Sequence, residues 1–277
     1  MNRMTFQVAI SLVLMLFQGL SAQMSDEVLN KVSAPAGSVT PVYKAQEFAF
    51  DTIKGLTKKQ LTDHYKLYQG YVNKLNEILA LLSSADLSKA DNVTYSQVRG
   101  LKIAQTYALN GMLYHELYFT NISNRYQPVE QEDEDEIVYE EDKSVAQPGP
   151  LTRALIEKNF TSLQRFKDDV LATAKSARGW SVTGILLKDG SVSNYLLDTH
   201  NEYVPAGVLP ILVIDSYEHA YMIDFGIDRA SYFKVVWDNI NWAIVEQRVQ
   251  DIQARYPELF PVQSQEEEDS SQLAVPA

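Results

Sequence analysis

Asp215 and His219 lie four residues apart, directly after the apolar run 209–214, and this combination narrows the possible folds more than any other part of the chain. The run reads as a buried strand. A carboxylate and an imidazole at its end supply half of a metal site. The sequence holds four histidines, His64, His115, His200 and His219, and each falls in a local pattern that suggests a place around one ion. There is no cysteine, so thiolate ligands, thiol nucleophiles and disulfides are all excluded. A fold that uses these residues together has to carry two or three distant segments to one strand end.

Two of those segments read as long helices. Between residues 56 and 82, Leu61, Tyr65, Tyr68, Tyr71, Val72, Leu75, Ile78, Leu79 and Leu82 recur at three and four, with His64 on or beside the apolar stripe. Residues 95–119 repeat the pattern with Val98, Leu101, Ala104, Ala108, Met112, His115 and Phe119. A short polar loop between them predicts an antiparallel helical hairpin. Residues 127–150 interrupt the periodicity with nine acids between Glu130 and Asp142 and end in Pro148-Gly149-Pro150, which predicts a solvated linker or insertion and a domain boundary. Helical pattern resumes over 151–174. Residues 182–187 and 192–197, joined through Asp189-Gly190, then read as a β-hairpin, 208–214 as a third strand, and 232–256 as helix.

The expected fold is α+β, an N-terminal antiparallel long-helix hairpin followed by a C-terminal α/β domain with a three-stranded antiparallel sheet. The expected boundaries are a leader arm at 23–50, the helical domain at 51–126, the acidic linker at 127–150, the C-terminal domain at 151–260 and a disordered tail at 261–277. Residues 1–22 carry Arg3, an apolar core at 8–17 and the small residues Gly19, Ser21 and Ala22. They read as a cleaved secretory signal that leaves an exported chain, periplasmic or secreted, with no membrane span. A net charge of −12 argues against nucleic acid as a partner.

Three imidazoles and one carboxylate suit a metal that changes oxidation state, and they leave a trivalent ion with net positive charge that attracts a small anion. His64 and His115 can project from the two helices towards Asp215 and His219, so one ion would tie the two domains together. The stretch Asp215-Ser216-Tyr217-Glu218-His219-Ala220-Tyr221 is similar to the D-x-W-E-H-A-Y signature of the iron/manganese superoxide dismutases, with tyrosine for tryptophan. Leu155 to Phe160, Phe166-Lys167, Gly179-Trp180, and Tyr232 through Asn241-Trp242 match the same family in order, and the resemblance extends over roughly 43–256.

The resemblance implies a superoxide dismutase binding one iron or manganese ion per subunit through His64, His115, Asp215 and His219, with superoxide as substrate and a homodimer, or a tetramer, as the assembly. It also implies that Tyr71 is the gateway tyrosine, that Trp180 and Tyr217 wall the site, that Glu218 reaches the neighbouring subunit, and that Arg229 lines the substrate funnel. The spacing from His64 to Tyr71 is one residue shorter than the family's, so the two share a site only if the first helix is regular here. The family sets a glutamine against the metal-bound solvent, from the second helix or from the later loop, where this chain has Gly111 and His200. His200 is therefore the expected partner of Tyr71 in holding solvent and moving protons. Leu67 and Met222 stand where the family pairs a histidine and a tyrosine across its dimer. The alternative function is a redox-inactive relative that holds a structural metal and acts through interaction.

Overall fold

The structure, a computed structural model, describes residues 42–129 and 138–260. The expected signal segment, most of the leader arm, the densest part of the acidic run and the tail lie outside the described residues. Two long helices, α1 (Lys58–Ser83) and α2 (Gln97–Ile122), form the N-terminal half. Thr57 and Ser96 cap them, their hydroxyls accepting from the Gln60 and Arg99 amides and satisfying donors that the first turn leaves free. Helix α1 is unbroken α-helix through both His64 and Tyr71. Seven residues make nearly two whole turns, so both side chains emerge on the same face.

The α1 positions Leu61, His64, Tyr68, Val72, Leu75 and Ile78 are buried against Ala108, Met112, His115, Phe119 and Ile122 of α2. His64 meets His115 and Phe119, while Tyr71, further along α1, meets the earlier Tyr107. The two helices thus run antiparallel. Residues 42–49 lie along this pair. The main chain of Tyr43 exchanges two hydrogen bonds with the Asn76 amide, and Phe48 and Phe50 pack on Phe119 at 5.1 and 5.3 Å between ring centroids.

The segment expected to be a solvated linker or insertion contains two strands. Strands β1 (Tyr126–Val129) and β2 (Val138–Glu141) pair antiparallel on either side of the acidic run. The Lys54 ammonium over the Tyr126 and Tyr139 rings, at 5.9 and 4.9 Å, and the Arg125–Glu141 pair at 2.6 Å hold this hairpin down. The acids dominated the composition there, while the alternating aromatic and aliphatic residues at its edges made the pairing.

The helical run expected over 151–174 is two helices, α3 (Pro150–Phe160) and α4 (Leu163–Ser176). Thr161 ends the first in the left-handed region, at φ 66°, and Ser162 caps the second. The run expected over 232–256 is likewise divided, after the short helix α5 (Met222–Phe225), into α6 (Arg229–Asp238) and α7 (Trp242–Arg255). There Asn241 caps α7, and Asn239 turns away to bond Lys54 of the N-terminal half.

Strands β3 (Trp180–Leu186), β4 (Val192–Leu197) and β5 (Val208–Asp215) form the expected three-stranded sheet, with β3 in the centre and both pairings antiparallel. The register sets Trp180 opposite Asp215. The start of the central strand and the end of β5 therefore open at one point, facing α1 and α2. No helix among the described residues is long and apolar enough to cross a membrane.

Candidate metal centre

Helix α1 contributes His64 and α2 contributes His115, 1% and 0% exposed, while Asp215 closes β5 with no exposed surface. His219 comes from a 3-10 turn (Glu218–Ala220) immediately beyond. The Nε2 atoms of His64, His219 and His115 all point at one oxygen, Asp215 Oδ2, at 3.0, 3.2 and 3.7 Å. One ligand atom from each of the four residues lies within 4.8 Å of the others.

Hydrogen bonds fix how these side chains present themselves. His115 Nδ1 lies 2.5 Å from the Gly111 carbonyl, which can only accept, so Nδ1 carries the proton and Nε2 offers its lone pair. That Nε2 is buried and has no hydrogen-bond partner. The second carboxylate oxygen, Asp215 Oδ1, accepts from the Tyr217 amide at 2.9 Å, and the Asp215 carbonyl accepts from Tyr232 Oη at 2.9 Å. Tyr232 Oη meets Tyr118 Oη at 3.1 Å.

The electrostatics point the same way. Burial lowers the pKa values of His64 and His115, so both are neutral near pH 7. Burial pushes the Asp215 carboxyl up, but His219 and His64 outweigh it and hold that carboxyl well below the usual range. Three imidazoles converging on one carboxylate, with an orphaned lone pair among them, make a cation site. The donors are imidazole and carboxylate with no thiolate, which suits iron or manganese.

A second group surrounds these four. Trp180 Nε1 donates to His200 Nδ1 at 2.9 Å. Because an indole N–H can only donate, His200 carries its proton on Nε2. That Nε2 is buried without a partner. The His200 carbonyl accepts from Asn110 Nδ2 at 2.7 Å, which ties the loop after β4 to α2. Tyr71 lies 4.7 Å from His200 and 5.3 Å from His115 between ring centroids, and Tyr217 stacks on His219 at 5.1 Å. Gly111 has to be glycine, because a Cβ there would stand 2.7 Å from Tyr71 Cδ1. A side chain from that turn of α2 would displace the Tyr71 ring, and the loop histidine takes the space in front.

Residues 148–248 match the family described as iron/manganese superoxide dismutases, C-terminal domain. Over 211 residues the chain is 32% identical to the iron superoxide dismutase of Aquifex pyrophilus, an alignment that covers 75% of this chain and 90% of that protein. The chain belongs to the iron/manganese superoxide dismutase family. The iron superoxide dismutase of Cupriavidus metallidurans is 30% identical over 197 residues, 69% of this chain and 86% of its own. The mitochondrial manganese superoxide dismutase of Aspergillus oryzae is 26% identical over 204 residues, 73% of this chain and 89% of its own.

Within this iron/manganese superoxide dismutase chain, two residues singled out in the sequence stand apart from the cluster. Arg229 Nη2 donates to the carbonyls of Ala177 at 2.7 Å and of Ala174 and Ser216 at 3.3 Å, and Nη1 donates to Lys175. Its guanidinium lies over Tyr221 and Phe233. Glu218 is exposed. Tyr107 was not singled out, yet its ring lies 4.5 Å from His200, nearer than Tyr71. On α2 it falls outside the apolar stripe read from the sequence, and only the position of the loop reveals its company.

His200 also gives the site a pH signature. Burial pulls its pKa from 6.5 to about 4, against the opposing pull of Asp215. Between those values the unfolded chain binds the proton and the folded chain does not, so stability rises with pH across this window and is lost as pH falls through it. The contribution is on the order of 2 kcal/mol between pH 4.5 and 7. His200→Gln should remove it. In urea denaturation at the two pH values, the variant's difference in stability will be smaller than the native one by that amount; equal differences would show that His200 is not held neutral.

Proposed function

We propose that this chain is a superoxide dismutase in which His64, His115, Asp215 and His219 hold one iron or manganese ion. The observation that carries the reading is the convergence of three imidazole Nε2 atoms and one carboxylate oxygen, with the His115 Nε2 otherwise unpartnered. An ion bound there supplies a one-electron couple between trivalent and divalent states that oxidises one superoxide to dioxygen and reduces a second, with two protons, to hydrogen peroxide.

The side chains do the remaining work. Asp215 fixes the charge balance of the site, and the Gly111 carbonyl and the Tyr217 amide fix the orientation of His115 and Asp215. Trp180 sets the His200 tautomer so that its Nε2–H donates a hydrogen bond into the pocket, and the Tyr71 hydroxyl beside it offers a second donor. Trp180 and Tyr217 wall the pocket against water. Arg229, whose hydrogen bonds go to carbonyls, contributes positive charge for drawing an anion to a chain that is acidic overall.

The test is reconstitution of the metal-free protein with iron, manganese or zinc, followed by the rate of superoxide decay. Turnover with iron or manganese and none with zinc supports the reading. Rates equal to the metal-free baseline with all three would leave a structural metal, the alternative reading.

We propose further that two copies associate over the His219 side. The His219 side chain is 23% exposed, and Leu67, Met222 and Ile223 are exposed apolar residues at 43%, 47% and 47%. A second copy would cover this apolar surface, with Glu218 reaching across it. Sedimentation velocity should find a dimer, and a monomer at micromolar concentration would remove this part. Export rests on the composition of residues 1–22, and the N-terminal sequence of the protein from its native source tests it.

A further inference from the structure

His200 is encircled by phenols. The ring centroids of Tyr107, Tyr71 and Tyr217 lie 4.5, 4.7 and 5.1 Å from its imidazole, and Tyr71 and Tyr107 lie 6.2 Å from each other. Two polar atoms in this group have no partner in the protein, the fully buried His200 Nε2–H and the Tyr217 hydroxyl. The only other polar atom of the His200 ring, Nδ1, is occupied by Trp180. What the imidazole offers inward is therefore a donor and no acceptor.

The hydroxyls of Tyr71 and Tyr217 can each donate a hydrogen bond. Buried donors without acceptors are costly unless something accepts from them. A site composed of O–H and N–H donors beside a cation selects a small anion.

We propose that Tyr107 and Tyr217 are anion-positioning residues, whose hydroxyls join those of Tyr71 and the Nε2–H of His200 in a ring of donors that holds a small anion beside the metal centre. This rests on the dismutase reading and adds to it. Tyr217 then does more than wall the pocket, and Tyr107, half-buried on α2, forms the outer part of the ring. On a chain of net charge −12, such a ring gives a negatively charged substrate a local reason to enter.

The test uses the full-length, metal-loaded protein with azide as the probe anion, titrated by calorimetry, alongside Tyr107→Phe and Tyr217→Phe at matched metal content. Loss of one donor to a charged ligand should weaken azide binding roughly ten-fold in each variant, and the superoxide KM should rise more than kcat falls. Azide affinity within about two-fold of the native value in both variants, against that scale, overturns the proposal. If Tyr217→Phe loses metal, Tyr107→Phe decides alone, because the Tyr107 ring packs on Tyr71 and His200 rather than on the four ligands. A native protein that binds azide through these phenols but does not dismutate superoxide would sink the dismutase reading and keep the ring. Dismutation with azide binding indifferent to both phenols would do the reverse.

Discussion

His115→Ala will leave the chain folded but unable to retain its metal, and superoxide turnover will fall by on the order of a thousand-fold or more. Even the loss of a residue that only orients a ligand costs roughly ten- to a hundred-fold in affinity or activity, and His115 stands nearer than that. Of the three clustered imidazoles it is the one whose Nε2 has neither a close carboxylate contact nor any hydrogen bond to replace a cation, and its tautomer is already set for one by Gly111. Its removal also leaves Asp215, His64 and His219 close together without a central charge. Metal content after dialysis and turnover on the same sample check the expectation. Stoichiometric metal with full turnover in the variant would mean that the ion sits elsewhere.

The second large effect concerns stability. Arg248 on α7 is half-buried, and it donates to the Asn121 side chain, to the Ile211 carbonyl at 2.9 Å and to the Leu117 carbonyl at 3.2 Å. It thereby ties α7 to α2 two residues beyond His115 and to β5 four residues before Asp215. Burial pulls its pKa down to about 10, so it stays charged near neutral pH, with its charge met by carbonyl oxygens and an amide. Arg248→Met keeps much of the volume but strands these acceptors, and should cost about 3 kcal/mol of unfolding free energy. Urea denaturation at fixed metal content measures it. A loss below about 1 kcal/mol would show that water replaces the guanidinium without penalty.

Much of the site was legible because its residues are rare and its elements strongly periodic. His64 and His115 sit on helices whose stripes recur at three and four, and Asp215 and His219 follow a run that could only be buried. The sheet was legible for the same reason, since Asp189-Gly190 between two apolar segments dictates a hairpin. What escaped depended on contacts between distant segments or on turns without glycine. Thr161 breaks a helix in the left-handed region that β-branched residues avoid, and the only local sign was Ser162 as a cap. The β1–β2 pairing was hidden by the acids it flanks. Tyr107 and Arg248 carry no local mark at all, because a tyrosine beside a helical stripe and an arginine on a helix acquire their roles from the loop and the carbonyls brought against them. The shortened spacing from His64 to Tyr71 resolved simply, since an unbroken helix places both on one face.

Metal analysis by mass spectrometry on the protein purified from its native source, with superoxide decay measured on the same sample, tests the metal centre most directly. About one iron or manganese per chain is expected, with a dismutation rate that rises in proportion to that occupancy across preparations. Full occupancy with no turnover, or turnover independent of the metal bound, would contradict it.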